Sequence, residues 1–362
     1  MKIDKKYLKF IGIGLLTIAV IIGVIVLIVS LVGGILSYDK IEMRMKNAAI
    51  SYFKDYADKL PVEGTEVKVT TFDLEEGKYI KPINKMVKKG VICNGEVIVK
   101  NINNSYVYIP YLDCGTDYST TSVVDKIKDS KTIVTSGAGI YNINNEYVYK
   151  GEVVKNYIKY DEKLWRIVKV DKNNDVVLIA TDFKEKTVWD DRYNVDKGYN
   201  SGINIYGVSR IKEALDVISK NNTLLTTEAF GKLNKYSLCI GKRSYQNATN
   251  DGSLECASTL DGQYIGLLPI YDYINASMDA GCNKPSDSQC QNYNYLNYYS
   301  SSWWSLTANL DNTYQTFKIE GDGGVTNSNS LSYSAIRPVI HLSNLAMIAS
   351  GDGTVDNPYI VK

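Results

Sequence analysis

The chain has 362 residues, 44% of them hydrophobic, and a formal net charge of +1. This length has room for roughly two to three domains, and the balanced charge excludes a global field that would attract nucleic acid or an acidic surface. Tyrosine is unusually frequent, with 29 residues against 6 phenylalanines. A tyrosine ring is apolar with a polar tip, which suits wet binding faces, although AT-rich coding explains the same excess.

The N-terminal segment is predicted to cross a membrane. The run FIGIGLLTIAVIIGVIVLIVSLVGGIL carries no charge and exceeds the roughly 20 residues that a spanning helix needs. We predict a cytoplasmic N-terminus at 1–9 and a transmembrane helix at 10–36, because the apolar region of the alternative, a cleaved signal peptide, is shorter. The lysines before the run favour a single-pass protein of the cell membrane whose C-terminal part is extracellular.

Six cysteines follow the apolar run, and an even number outside the membrane indicates disulfide bonds. Two of the three nearest-neighbour pairs flank predicted turns, and the third brackets the polar loop CNKPSDSQC. We therefore predict three bridges: Cys93–Cys114, Cys239–Cys256 and Cys282–Cys290. Metal binding by these cysteines is not expected, since the chain has no C-x-x-C and only one histidine.

Residues 37–118 are predicted to form a small extracellular module. The segment YDKIEMRMKNAAISYFKDYADKL places apolar residues at spacings of three and four, which indicates a helix. A second helix is predicted around TFDLEEGKYI. After it, VICNGEVIV and YVYIPYLDC indicate two strands joined by a turn.

This arrangement, a half-hydrophobic N-terminal helix followed by a small sheet, resembles type IV pilins and pseudopilins. The segments KNAAISYFKDYADKLP, CNGEVIVKN and YVYIPYLDC also resemble pilin-like modules in surface proteins of low-GC Gram-positive bacteria. The chain departs from prepilins at the cleavage site. Gly12 and Gly14 lead only into apolar residues, and no glutamate lies in the run.

Residues 119–149, rich in Ser, Thr, Asn and Gly, are predicted to be a linker, and 150–362 a second extracellular domain. There, KLWRIVKV and DVVLIAT flank the polar turn DKNN and indicate a hairpin. The segment YGVSRIKEALDVISKN carries apolar residues on one helical face. The remainder is irregular, turn-rich and aromatic.

The second domain carries LWRIV, YIGLLPIYDYINA, WWSLT, AIRPVIHLS and GDGTVDNPYIV in this order. With these marks it resembles a poorly characterised extracellular domain family of the same bacteria. Such domains are similar to the C-type-lectin-like fold of formylglycine-generating enzymes. The resemblance implies a compact α+β core with long loops, so the predicted fold class is α+β with one transmembrane helix.

Four residues are predicted to contact a ligand: Trp303, Arg337, Tyr298 and Tyr299. Strand alternation in SSWWSLT predicts that Trp304 and Leu306 face the core, while Trp303 lies nearer the loop face. An exposed indole is a common anchor at interfaces and a stacking surface for sugars. Arg337 lies between apolar residues, where a guanidinium either ties loops together or binds a ligand.

No catalytic, metal or cofactor site is predicted. His341 lacks an evident nucleophile or metal partner, so a structural role is favoured. Asp352 and Asp356 lie in SGDGTVDNPY, where turn formation is favoured over calcium binding.

The leading functional hypothesis is a non-enzymatic, membrane-anchored surface protein that binds a glycan, a wall polymer or another protein. One alternative is a pilus-like component of envelope assembly. The other is an enzyme of the formylglycine-generating type, which needs reactive cysteines in place of structural bridges. No nucleic-acid partner and no cofactor are expected.

Overall fold

A computed structural model describes residues 35–102, 105–182, 185–221, 223–248, 251–297 and 301–361. The chain divides into two compact units, with the boundary between Thr120 and Thr121. Strand residues outnumber helical residues, at 34% against 20%, so sheets dominate the architecture.

The first unit packs one long helix against a three-stranded antiparallel sheet of strand order β1-β2-β3. Its elements are α1 (Tyr38–Asp55), a 3-10 helix (Ala57–Lys59), β1 (Glu66–Thr70), α2 (Thr71–Glu76), a 3-10 helix (Ile83–Lys85), β2 (Asn94–Ile102) and β3 (Ser105–Asp113). Ile41, Met45, Ala49 and Phe53 of α1 repeat every four residues and are buried. This stripe forms the core of the unit with residues of the sheet.

The predicted second helix and hairpin of this unit are confirmed. Helix α2 begins with a capping box, in which Thr70 Oγ1 accepts from the backbone N–H of Asp73 and the Asp73 carboxylate accepts from that of Thr70. Strands β2 and β3 pair from Asn94 opposite Asp113 to Ile102 opposite Ser105. The register brings Cys93 and Cys114 together at the open end of the hairpin.

The second unit begins with a region of short strands. It contains β4 (Thr121–Ser122), α3 (Val123–Lys128), β5 (Gly139–Ile143), β6 (Glu146–Lys150), β7 (Tyr157–Tyr160), β8 (Lys163–Val170), β9 (Val176–Ala180), β10 (Lys186–Val188), β11 (Tyr193–Asn194), β12 (Tyr199–Asn200), a 3-10 helix (Tyr206–Val208), α4 (Arg210–Lys220) and α5 (Thr227–Phe230). The predicted hairpin around DKNN is the β8–β9 pair, and the predicted helix is α4, so both predictions are confirmed.

The unit continues to the C-terminus with further strands. They are β13 (Tyr236–Cys239), β14 (Lys242–Arg243), β15 (Thr259–Gln263), β16 (Ile265–Gly266), α6 (Ile270–Asn275), a 3-10 helix (Ser288–Gln291), β17 (Trp303–Asn309), β18 (Gln315–Ile319), β19 (Val325–Asn329), β20 (Tyr333–Ala335), β21 (Val339–Leu342), β22 (Met347–Ser350) and β23 (Tyr359–Val361).

Two large sheets organise the second unit. The larger has ten strands in the order β16-β21-β9-β8-β7-β23-β22-β4, with β6 also pairing with β8, and β5 with β6. The smaller has the order β10-β20-β17-β18-β19, with β14 on β17. All five residues of β9 and all seven of β17 are buried, because both faces of these central strands are covered.

The predicted fold class, α+β with a transmembrane helix, is wrong. The described chain is mostly sheet, and no helix in it is long and apolar enough to span a bilayer. Of the predicted span at 10–36, only Ile35 and Leu36 belong to the described residues. Both are non-helical, and the backbone N–H of Leu36 donates to the carbonyl of Met86 (2.7 Å). The described end of the run thus belongs to the fold of the first unit.

The predicted linker at 119–149 is also wrong. This segment contains β4, α3, β5 and β6, and Val123, Val124, Ile127 and Ile140 are buried in the core of the second unit. Its polar composition suggested a loosely packed connection. A few apolar residues nevertheless hold this segment in the core. Its short strands are also held by pairing, β4 with β22 and β6 with β8.

Candidate functional site

Trp303 does not face a ligand surface, so its predicted exposure is wrong. Both Trp303 and Trp304 are 0% exposed. Strand β17 pairs with β18 and β20. Residues of other elements cover its faces, because Trp303 packs against Arg337 and Trp304 Nε1 donates to the carbonyl of Thr187 (2.9 Å). The Trp303 ring meets Tyr273 edge to face at 5.9 Å between centroids. Trp303 is therefore a core residue.

Arg337 lies against Trp303 and is 2% exposed. Its guanidinium carbon is 5.0 Å from the centroid of the Trp303 ring. Its Nε donates to the carbonyl of Ala180 (2.8 Å), and its Nη1 donates to that of Leu296 (2.9 Å). Arg337 thereby fastens the loop before β17 to the core. The predicted ligand residues Tyr298 and Tyr299, which follow this loop, lie outside the described residues.

All three predicted disulfide bonds are confirmed: Cys93–Cys114, Cys239–Cys256 and Cys282–Cys290. All six cysteines are described and none has a free thiol. The Cys282–Cys290 bridge closes the loop that comes directly before residues 291–297.

The loop at 291–297, with the exception of Leu296, lines a cavity of about 440 Å³, which we call the Arg166 pocket. This volume is within the roughly 300–1,000 Å³ of small-molecule sites. Its lining residues are polar or aromatic and include no aliphatic side chain: Glu152, Arg166, Gln291, Asn292, Tyr293, Asn294, Tyr295 and Asn297. The polar lining favours a hydrophilic ligand.

Arg166 is the cation of the pocket and projects from β8. Its guanidinium carbon lies 3.9 Å from the centroid of the Tyr157 ring and 4.9 Å from that of Tyr295. Its Nε donates to Asn156 Oδ1 (2.6 Å). Among the described residues no ion pair joins Arg166 to a carboxylate, the side chain of Tyr157 is its other hydrogen-bond partner, and it is only 8% exposed. Burial lowers the pKa of this guanidinium, which stays protonated at neutral pH.

Tyr293 projects from the wall of the pocket and is 60% exposed. Its φ angle is +46°, a left-handed conformation that side chains other than glycine and asparagine rarely adopt. Asn294 holds the loop in this form, because its Nδ2 donates to the carbonyls of Tyr273 (2.9 Å) and Cys290 (3.0 Å). Strain of this kind at an exposed aromatic side chain is typical of binding sites.

Two glycines permit the close approach that shapes the pocket. Gly151 has φ of +104°, and a Cβ there would lie 2.5 Å from Ala138 Cβ. Its carbonyl accepts from the backbone N–H of Tyr295 (2.9 Å), which joins the two walls. Gly323 has φ of +90°, and a Cβ there would lie 2.4 Å from the side chain of Asn297. A side chain at Gly323 would therefore displace Asn297 of the loop, and one at Gly151 would collide with Ala138.

Asn297 offers an acceptor at the end of the loop. Its Nδ2 donates to the carbonyls of Gln291 (3.1 Å) and Asp322 (3.1 Å). These donor bonds assign its oxygen, Oδ1, which is buried and has no hydrogen-bond partner within the described chain. An unpaired buried oxygen is costly unless a ligand or water donates to it.

Sequence reasoning did not select Arg166, Tyr293 or Asn297. A signal for Arg166 existed in KLWRIVKV, where it lies between apolar residues just as Arg337 does in AIRPV. No sequence pattern points to Tyr293 or Asn297. They line the same cavity as Arg166 because distant segments of the chain pair with one another. Trp303 and Arg337 were selected, and they support the pocket from behind.

Asp352 forms a turn. Its Oδ1 accepts from Thr354 Oγ1 (2.7 Å) and from the backbone N–H of Thr354 (3.0 Å), which lowers the pKa of this carboxyl. Asp356 is exposed in the same loop.

No protein-family model matches the chain, and no curated protein or solved structure matches it either. The resemblances to pilin-like modules and to the C-type-lectin-like fold stay predictions.

Proposed function

We propose that the protein is a non-enzymatic extracellular binding protein, and that its Arg166 pocket takes an acidic sugar unit of a glycan or wall polymer. The observation that carries the proposal is Arg166 itself. It is a nearly buried guanidinium without a carboxylate partner in the described chain, and it faces a hydrophilic cavity.

The positive charge of Arg166 favours a ligand with an acidic group. A buried cation is costly unless acceptors satisfy it. The described acceptors of Arg166 are Asn156, which accepts from Nε, and the side chain of Tyr157, and neither of them carries a negative charge at neutral pH. A guanidinium presents two further nitrogens that match a carboxylate or phosphate with parallel hydrogen bonds. The rings of Tyr157 and Tyr295 hold the guanidinium in place, so little ordering is required when the acidic group arrives.

The remaining lining argues for a sugar. Tyr293 offers an exposed ring with a polar tip, on which a pyranose can stack. Gln291, Asn292 and Asn297 supply amide groups that both donate and accept, as sugar hydroxyl groups require. Three disulfide bonds support a location in an oxidising compartment outside the cytosol.

The two alternative functions stay predictions. A role in pilus-like assembly would rest on the first unit, and no described residue of that unit lines the Arg166 pocket. An enzyme of the formylglycine-generating type would need reactive thiols, whereas the cysteines of the second unit are paired.

The experiment uses Arg166→Gln in the full chain and measures binding of oligogalacturonate by calorimetry. Loss of the charged hydrogen bonds is expected to weaken binding about 10- to 100-fold. Arg210→Gln is the matched control, because Arg210 is exposed and pairs with Asp191 (2.8 Å), in the loop between β10 and β11, and with Glu213 (2.9 Å) on α4. Poly(glycerol phosphate) tests the phosphate form of the ligand. Failure of both polymers to bind, or equal binding by Arg166→Gln, would contradict the proposal.

Tyr293→Asn is expected to change stability and binding in opposite directions. Asparagine tolerates the left-handed backbone at this position, so the free energy of unfolding should rise by up to about 1 kcal/mol. Removal of the exposed ring should weaken oligogalacturonate binding. Thermal unfolding and calorimetry measure the two effects. The control is Tyr333→Asn, at an equally exposed tyrosine outside the pocket, which should bind normally. If Tyr293→Asn is less stable than the parental chain and binds oligogalacturonate equally well, Tyr293 is neither a strained position nor a binding residue.

A further inference from the structure

Asp171, Asp175 and His341 meet near one end of the neighbouring strands β8, β9 and β21 of the ten-stranded sheet, in what we call the Asp–Asp–His cluster. The two aspartates lie in the turn between β8 and β9, and His341 lies on β21 opposite Val177 of β9. One ligand-type atom of each residue lies within 4.8 Å of the other two. The side chains are 12%, 7% and 12% exposed in that order.

The Nδ1 atom of His341 is the unexplained feature of this cluster. It is buried and has no hydrogen-bond partner among the described residues. It lies 3.5 Å from Asp171 Oδ2 and 4.0 Å from Asp175 Oδ2, longer than the roughly 2.7–3.2 Å of an N–H···O bond. Two ligand atoms on one tetrahedral zinc ion, each roughly 2.0–2.2 Å from the metal, lie about 3.4 Å apart. The 3.5 Å separation matches this value, and Asp175 Oδ2, at 4.0 Å, would move closer by roughly half an ångström to share the same ion.

Neighbouring groups hold the ligands in this orientation. Asn234 Nδ2 donates to Asp175 Oδ1 (2.6 Å), and the Asn234 backbone N–H donates to the carbonyl of His341 (2.9 Å). Asp171 Oδ1 accepts from the backbone N–H of Asp175 (2.9 Å). Each Oδ1 atom thus accepts a hydrogen bond that orients its carboxylate, and the Oδ2 atoms lie 3.5 Å (Asp171) and 4.0 Å (Asp175) from His341 Nδ1.

The imidazole ring is also fixed. It stacks on the ring of Tyr236, with 3.6 Å between centroids and 8° between planes. Such supporting contacts commonly set the affinity of a metal site.

We propose that the Asp–Asp–His cluster binds a divalent transition-metal ion, for which Zn²⁺ is the probe. The lone pair of His341 Nδ1 and one oxygen from each of the two carboxylates supply three ligands, and water completes a tetrahedral set. The proposal is independent of the Arg166 pocket, because none of the three ligands lines that cavity.

The test exploits the single histidine of the chain. The full chain, made without a histidine tag and freed of metal by chelation, is labelled with ¹⁵N-histidine and titrated with Zn²⁺. We expect saturation at one equivalent with a large shift of the Nδ1 resonance. Asp171→Asn keeps the Oδ1 acceptor of the turn but loses the charge, and it should weaken Zn²⁺ binding at least about tenfold.

Asp352→Asn is the matched control, since Asp352 also accepts backbone hydrogen bonds in a turn but lies outside the cluster. It should bind Zn²⁺ as the parent does. Tryptophan fluorescence checks that each variant folds, and His341→Asn replaces Asp171→Asn if the latter unfolds. An imidazole spectrum that excess Zn²⁺ leaves unchanged, or a shift confined to Nε2, would overturn the proposal. Parental affinity in the cluster variants would overturn it as well.

Discussion

Replacing Arg243 by methionine is expected to lower the free energy of unfolding of the second unit by about 3–5 kcal/mol. Arg243 and Glu255 are 1% and 2% exposed and form a bidentate pair, with Nε to Oε1 and Nη2 to Oε2 both at 2.7 Å. The guanidinium also donates to the carbonyls of Ala248 and Asp251. Methionine fills a similar volume but leaves the Glu255 carboxylate buried without its cation.

Denaturant unfolding followed by tryptophan fluorescence measures this effect, because all four tryptophans belong to the second unit: Trp165, Trp189, Trp303 and Trp304. The double variant Arg243→Met/Glu255→Leu removes both charges and should recover much of the loss. Arg210→Met, at an exposed pair, should leave stability nearly unchanged. If Arg243→Met is as stable as the parental chain, the Glu255 carboxylate must be hydrated and the Arg243–Glu255 pair is not buried as described.

Trp303→Ala is expected to destabilise the second unit by about 3–5 kcal/mol. The indole is fully buried, and its loss removes the surface on which Arg337 rests and leaves a cavity behind the Arg166 pocket. Trp303→Phe keeps an aromatic ring and should lower the free energy of unfolding by less than Trp303→Ala does.

Urea unfolding of the two variants and of Trp165→Ala, a second buried tryptophan, measures the effect. A similar loss in Trp165→Ala would identify both indoles as core residues. If Trp303→Ala is as stable as the parental chain but no longer binds oligogalacturonate, Trp303 contacts the ligand and is not a core residue.

Local signals in the sequence predicted local structure well. The pairing of Cys93 with Cys114 follows from one hairpin, and α2 and α4 begin at residues whose side chains cap the first turn. Such features depend on neighbours within about twenty residues, which the sequence displays directly.

Features that depend on distant partners were predicted poorly. Alternation does not predict the burial of Trp303, because Tyr273 and Arg337, which come from other segments of the chain, contact its ring. The composition of 119–149 predicts a linker, because partners of this segment such as Met347, which lies opposite Ser122, are more than two hundred residues away in the sequence. The Arg166 pocket also depends on distant partners, because Glu152, Arg166 and the loop that contains Asn294 come together through the sheet and the Gly151–Asn294 bridge.

The most direct test of the central claim, that Arg166 recognises an acidic group on a sugar, is a two-by-two affinity measurement. Oligogalacturonate and its carboxyl-reduced, neutral counterpart are each titrated into the parental chain and into Arg166→Gln. The parental chain should prefer the acidic oligomer by about tenfold or more, and the variant should show no preference. If the variant keeps the parental preference for the carboxylate, Arg166 does not recognise it and the proposed site is wrong.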